Sequence, residues 1–359
     1  MSRTRPLAPL ALAAALLLVP AGAHAATKSV SAGPPGKPPK GAPKDGDTNA
    51  FYRKTVTVHV GDKVRWQING FHTVTFPAKG KKPPPFISPD ASGAKYAGFN
   101  DAAATPFWFN GMNRLILDSL GAFPAGTKSY DGSKLASAGA PLSAGRPKPY
   151  TLKFTKAGAF SYFCTIHEGM KGTVKVVAKG KAVPSAAADR KAVKAEFAKD
   201  VAQATKDAKF AGPAGNAVQA GNDSKNTAIL RFFPAKKTVP VGTTVTLSMP
   251  PTTAEIHTFS FGPAAYLKQQ ADGFIAPDPS AKPPLLVFNP LIAFPSDPPP
   301  AVLVHNGANH GNGFLSTGVL DRVAASPSPP SAQVRFDKAG TYDFICLVHP
   351  FMKGQIVAG

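Results

Sequence analysis

The pattern Cys-x-x-His-x-x-Met occurs twice, at Cys164, His167 and Met170 and again at Cys346, His349 and Met352, and the two copies use both cysteines of the chain. Each copy sets a thiol, an imidazole and a thioether at i, i+3 and i+6. That is one soft anionic donor, one borderline nitrogen and one weak soft donor on a single short loop. A trigonal site of two histidines and one cysteine with a long axial methionine is the arrangement that copper adopts in blue electron-transfer centres. The loop carries three of those four donors, so a histidine from a distant strand must lie beside it. One such loop could arise by chance. Two that consume every cysteine mark a duplication.

The flanking segments repeat in the same order. Thr55-Val56-Thr57-Val58-His59-Val60 alternates as a half-buried strand does, Gly61-Asp62 turns it, and Lys63-Val64-Arg65-Trp66-Gln67-Ile68 alternates again. Asn69-Gly70 then leads into Phe71-His72-Thr73-Val74-Thr75-Phe76. The second half runs Lys237-Thr238-Val239-Pro240-Val241, Thr244-Val245-Thr246-Leu247 and Ile256-His257-Thr258-Phe259-Ser260-Phe261. Before the cysteines, Lys156-Ala157-Gly158 matches Lys338-Ala339-Gly340. After the methionines, Lys-Gly and a last strand follow in both halves. Short alternating strands cut by Gly and Pro turns predict an all-β chain of two antiparallel Greek-key β-sandwich domains in tandem, joined by a helical linker.

His72 and His257 are the candidate remaining donors, each in a His-Thr-x-x-Phe strand ahead of its own cysteine loop. The reading is therefore two metal sites: His72, Cys164, His167 and Met170; and His257, Cys346, His349 and Met352. Thiolate and thioether suit Cu(I) and imidazole suits both oxidation states, which favours two type 1 copper ions per chain. Tetrahedral zinc is the structural alternative, although methionine is a poor zinc ligand. A Cys164–Cys346 disulfide is the other alternative, and it would tie together equivalent loops of two domains.

The ending Tyr342-Asp343-Phe344-Ile345-Cys346-Leu347-Val348-His349-Pro350-Phe351-Met352-Lys353-Gly354 is similar to the ligand loop of amicyanin, and both halves resemble cupredoxins, the small blue copper proteins of the plastocyanin and amicyanin type. The resemblance covers the strands around each site, roughly half of the chain without its leader. It implies single-electron transfer and the eight donors just named. Many members have Asn or Ser after the first histidine, where this chain has Thr73 and Thr258.

Arg3 and Arg5 precede an apolar run over residues 7–19 that ends at Ala23-His24-Ala25, the form of an export signal. The expected organisation is a signal over residues 1–25, a flexible basic tether over 26–49, a first domain over 50–179, a helical linker over 180–226 and a second domain over 227–359. In the linker Val193, Phe197, Val201, Ala204 and Ala208 fall on one helical face. No later segment is expected to cross a bilayer. The expected location is extracytoplasmic, periplasmic or secreted. The formal charge is +21. With export and no helix-turn-helix or RNA-binding motif, this charge points away from nucleic acid. It points towards an acidic redox partner and the anionic cell envelope, through attraction that salt weakens.

Each half holds a long insert, about ninety residues from histidine strand to cysteine, with apolar clusters such as Pro106-Phe107-Trp108-Phe109 and Leu285-Leu286-Val287-Phe288. These are expected as extra strands and loops on the sandwich, or as a cover or docking surface at the metal site. Copper oxidases and nitrite reductases need further centres built on His-x-His motifs, and none occurs in the chain, so an enzyme is not expected. His59 is expected to be structural, and His305 and His310 are loop residues or an additional metal pair. His349 is followed by apolar Pro350 and Phe351, and His167 by Glu168 and Gly169, so the two sites are expected to differ in potential and partner. The leading function is an exported two-copper electron carrier. The alternatives are extracytoplasmic copper sequestration or delivery on the same ligands, and a structural envelope module.

Overall fold

Val56 and Val58, then Val64, Trp66 and Ile68, are buried at alternate positions of Thr55–His59 and Lys63–Ile68, so the sequence alternation is the inside and outside of a sandwich. The structure is a computed structural model describing residues 25–278, 285–299, 302–323 and 326–359. The export signal expected at residues 1–25 lies outside them but for its last residue.

Among the described residues the first sandwich has a five-stranded sheet, in the order Ser129–Tyr130, Tyr150–Phe154, Lys63–Ile68, Thr27–Ala32, Phe51–Tyr52. It faces a six-stranded sheet in the order Thr55–His59, Lys171–Val177, Gly158–Phe163, Thr75–Phe76, Ala136–Ala138, Pro124–Ala125. The second sandwich repeats the plan. One sheet runs Leu303–His305, Ser331–Phe336, Thr244–Ser248, Ala217–Ala220, Phe232–Phe233, and the other Lys236–Val239, Lys353–Ala358, Gly340–Ile345, Ser260–Phe261, Leu315–Ser316. The chain is all-β with tandem sandwiches, as expected. The sheets are mixed rather than purely antiparallel. Thr27–Ala32 runs parallel to Lys63–Ile68, and Ala217–Ala220 parallel to Thr244–Ser248. Alternation reports the face a residue occupies and not the direction of the neighbouring strand.

The flexible tether expected over residues 26–49 is corrected by the same pairing. Thr27–Ala32 is a strand in register along all of Lys63–Ile68, with Val30 and Ala32 buried in the core. Gly46–Thr48 pairs with Thr227–Ile229, across the two halves. The strand was hidden because two buried apolar residues give too short an alternation to stand out from the Pro- and Lys-rich stretch behind it. Its counterpart Ala217–Ala220 lies in what the sequence reading assigned to the linker.

The helix Ala186–Asp207 begins at Ser185, whose side chain accepts the N–H of Ala188. Val201 and Ala204 are buried, and Ala204 packs with Ile229 and Phe233. Tyr52 donates its hydroxyl to Asp200, and Asp189 pairs with Lys28 and Arg53, so the helix is fastened to the first sandwich as well. No helix among the described residues is long and apolar enough to cross a membrane.

The two inserts meet. Ile275–Asp278, Leu285–Phe288, Leu115–Leu117 and Ile87–Pro89 form one four-stranded sheet, joined across the halves at Val287 and Ile116. Beneath it Phe107 and Phe109 of the first insert pack with Leu267, Phe288, Leu291, Ile292 and Phe314, and with Leu347 of the second cysteine loop. The inserts are thus extra strands sharing a core, and that core reaches one of the two candidate sites.

Candidate metal centres

Each cysteine directly follows the first strand of a hairpin whose partner strand begins just after the methionine. Gly158–Phe163 pairs with Lys171–Val177, and Gly340–Ile345 with Lys353–Ala358. The loop is closed at its base, where the Cys164 N–H donates to the Met170 carbonyl at 3.0 Å and the Cys346 N–H to Met352 at 3.2 Å. Within the loop the methionine N–H returns to the histidine carbonyl, Met170 to His167 and Met352 to His349. Met170 and Met352 are both buried. The Lys-Gly that follows has a packing cause. A Cβ on Gly172 would lie 2.3 Å from the Tyr162 ring, and one on Gly354 2.3 Å from the Phe344 ring, each on its cross-strand neighbour.

The structure brings the two histidines and the cysteine of each predicted set together in both halves. Cys164 Sγ is 3.5 Å from His167 Nδ1, and the Nδ1 atoms of His72 and His167 are 3.0 Å apart. Cys346 Sγ lies 3.6 Å from His257 Nδ1 and 3.8 Å from His349 Nδ1, with the two Nδ1 atoms 3.2 Å apart. In each cluster the three donor atoms lie within 4.8 Å of one another. Both cysteines are free and buried, so the alternative of a disulfide between them is not realised.

The threonine after each distant histidine clamps the cysteine from two sides. The Thr73 N–H donates to Cys164 Sγ at 3.4 Å, and its hydroxyl accepts the Thr165 N–H at 2.7 Å. Thr258 repeats both contacts, with Cys346 Sγ at 3.4 Å and the Leu347 N–H at 2.8 Å. Gly33 supports His72, since a Cβ there would fall 2.8 Å from His72 Nε2 and 1.9 Å from the Asn69 carbonyl, at a φ of +83°.

One acidic residue that sequence reasoning missed lies between the clusters. Glu255 is 6% exposed. Its Oε1 is 3.5 Å from His167 Nε2 and its Oε2 is 3.6 Å from His349 Nε2. Asn49 Nδ2 donates to Oε1 at 2.5 Å. Burial pushes the Glu255 carboxyl up, but the charges of His167, His349 and His257 and the Asn49 hydrogen bond outweigh it and hold it at about 2. Burial pulls His167 down, yet Glu255 and then Cys164 bring it up to about 9. His349 goes the other way. Burial lowers it, and the charge on His167 adds to this while Glu255 opposes it. The carboxylate lies at nearly the same distance from both rings, one oxygen to each. Burial raises both thiols, but the paired histidines outweigh it: Cys164 is held well below its usual value by His167 and His72, and Cys346 is lowered first by His257.

The donor set fits a soft metal. A lowered thiol and two imidazole Nδ1 atoms converge at each site, and the loop histidine of each turns Nε2 to the Glu255 carboxylate and Nδ1 to the cysteine. The remaining histidines take no part. His59 donates its Nε2–H to the Lys181 carbonyl and pairs with Asp62. His305 is buried against Phe261, Phe336 and Tyr342. His310 sits between Asp101 and Asp297. Among the described residues, the two His-Cys-His groups are the clusters able to hold a metal ion. The loops differ at their rims as well, with Glu168 exposed and Phe351 63% exposed.

Residues 42–177 match the family of copper binding proteins, plastocyanin/azurin family. No curated protein matches the chain. Among solved structures, a reduced mutant of amicyanin is 20% identical over 42% of this chain and 88% of its own, with a TM-score of 0.22. An oxidised plastocyanin from Dryopteris crassirhizoma is 18% identical over 40% of this chain and 99% of its own, with a TM-score of 0.19.

Proposed function

We propose that this cupredoxin-like chain is an exported electron carrier with two type 1 copper ions, one held by His72, Cys164, His167 and Met170 and the other by His257, Cys346, His349 and Met352. The observation that carries the reading is the duplication of a buried Cys-His-His cluster whose Sγ and Nδ1 atoms converge in both halves. When bound, copper supplies a one-electron couple. The chain's own residues do the rest. The lowered thiols of Cys164 and Cys346 enter as thiolates at little cost. The Thr73 and Thr258 N–H groups donate to sulfur and so withdraw charge from it. Closely packed hairpins on a sandwich keep the donors in place between oxidation states, and burial keeps water from all of them but the half-buried His349.

Transfer rather than a bond-making reaction is favoured because the other histidines are engaged in packing and ion pairs, away from either cluster. The net charge of +21 favours a redox partner with an acidic docking surface, and attraction to an anionic envelope. Phe351, exposed with its ring 6.0 Å from that of His349, offers an apolar contact beside the second site. The first loop offers Glu168 instead, which supports a difference in potential and partner between the sites.

The test is to load the purified protein with Cu(II) and record copper content and visible absorption together. The expected result is two coppers per chain and an intense thiolate-to-copper band, halved in Cys164→Ser and in Cys346→Ser and lost in the double variant. A colourless protein, or one that takes only zinc or readily exchanged Cu(I), would overturn the carrier reading in favour of metal delivery.

A further inference from the structure

Glu255 stands where the repeat breaks. Two residues before the strand histidine, the first half has Gly70 and the second has Glu255, so one carboxylate serves two otherwise matched sites. Its location is costly. A buried carboxylate is stable only when it is paired and hydrogen-bonded. Among the described residues no lysine or arginine pairs with it. Its partners are Asn49 and two imidazoles, one from each half.

The two imidazoles are turned the same way. His167 points Nδ1 at Cys164 and His72 and Nε2 at Glu255 Oε1. His349 points Nδ1 at Cys346 and His257 and Nε2 at Glu255 Oε2. An unbroken line of contacts therefore runs from Cys164 through His167, Glu255 and His349 to Cys346. Only two gaps in it lie between ring and carboxylate, at 3.5 and 3.6 Å. Each oxygen serves one ring, so the carboxylate is a bridge rather than a cap on one site. The halves are kept in this relation by the strand pair Gly46–Thr48 with Thr227–Ile229, which ends beside Asn49, and by the sheet that the inserts share.

We propose that Glu255 joins the two centres, and that the His167–Glu255–His349 line carries single electrons between them inside one chain. The inference rests on reading both clusters as copper sites. In the step, one electron leaves the reduced centre, whose Cu(I) becomes Cu(II), and enters the oxidised one, whose Cu(II) becomes Cu(I). No bond forms or breaks, no proton moves, and no further reactant is needed. Glu255 is a positioning residue here. It orients both rings through Nε2, and its charge lies close to both centres, where it favours the more positive oxidised state of each.

The experiment uses the full chain loaded with copper at both sites and given less than one electron per molecule by a radiolytic pulse. The two thiolate bands, assigned from Cys164→Ser and Cys346→Ser, report where the electron sits. The expected result is redistribution between the bands at a rate independent of protein concentration. In Glu255→Leu that rate falls by about tenfold or more, with two coppers and both bands retained. In Glu255→Gln, which keeps the size and loses the charge, both reduction potentials rise together, a shift that a merely space-filling residue would not cause. Exchange that scales with protein concentration in the parent chain would overturn the route, as would an unchanged rate in Glu255→Leu. If that variant loses copper, the concentration dependence of the parent and the paired potential shift in Glu255→Gln still decide the matter. A chain that forms no blue site at all overturns the copper reading and the route with it, whereas two blue sites with bimolecular exchange overturn the route alone.

Discussion

The Thr258 hydroxyl accepts the backbone N–H of Leu347 at 2.8 Å, while the Thr258 N–H donates to the sulfur of Cys346 at 3.4 Å. Thr73 does the same for Thr165 and Cys164. A threonine thus stands where many cupredoxins have Asn or Ser, and its hydroxyl fastens the cysteine loop to the histidine strand. Thr258→Val keeps the shape and the N–H but leaves the buried Leu347 N–H without a partner, which should cost about 1–3 kcal/mol. Thermal unfolding of the metal-free protein should show the loss, and the thiolate band of the second site should shift. Thr258→Ser should restore both. A valine variant with unchanged stability and spectrum would mean that the hydroxyl does not hold the loop.

The glycine after each Met-Lys is required by the aromatic ring across the hairpin. Phe344 pairs with Gly354, and a Cβ on Gly354 would meet the ring at 2.3 Å. Gly354→Ala should therefore destabilise the second sandwich by about 1–3 kcal/mol through overpacking. Phe344→Leu should recover part of the loss when combined with it, since the two residues touch. A strictly additive double variant in denaturant unfolding would count against this account.

Both cysteine loops were legible because metal chemistry imposes donor types at fixed spacing, and the duplication showed which histidines belong with them. His72 and His257 hold equivalent places in the two halves, and the structure brings each to its own cysteine. Glu255 was not legible. The repeat marks it as a difference from Gly70, but its contact with His167 depends on how the halves dock, through Gly46–Thr48 on Thr227–Ile229 and Ile116 beside Val287. Those pairings lie between segments far apart in sequence and carry no local signature. Thr27–Ala32 was missed for a related reason. It is a strand only because Lys63–Ile68 offers it an edge, and the composition after it reads as a linker.

The shared insert core makes a prediction that crosses the halves. Phe109 belongs to the first insert, yet it packs in the cluster that includes Leu347, next to Cys346. Phe109→Ala should cost about 3–5 kcal/mol as a large-to-small core change. It should also perturb the band of the second site more than that of the first. Spectra of Phe109→Ala in the Cys164→Ser and Cys346→Ser backgrounds separate the two. Equal perturbation would mean that the insert core does not act through Leu347.

His305 and His310, considered in the sequence as a metal pair, should instead give opposite pH signatures in stability. Burial among Phe261, Phe336 and Tyr342 lowers His305 to about 4. Between pH 6.5 and 4 the unfolded chain takes up this proton and the folded chain does not, so stability falls as pH drops through that window, by up to about 3 kcal/mol. His310 is raised, first by the Asp297 carboxylate beside it against the effect of burial, and then by Asp101. Its contribution is fully present below the unfolded value of 6.5 and is lost as pH rises through the higher folded value. Unfolding midpoints of the metal-free protein across pH 4 to 9, compared with His305→Phe and His310→Gln, should resolve the two. The first variant should flatten the acid limb and the second the alkaline one. A His305→Phe profile parallel to that of the parent below pH 6.5 would show that the buried imidazole takes up its proton without penalty.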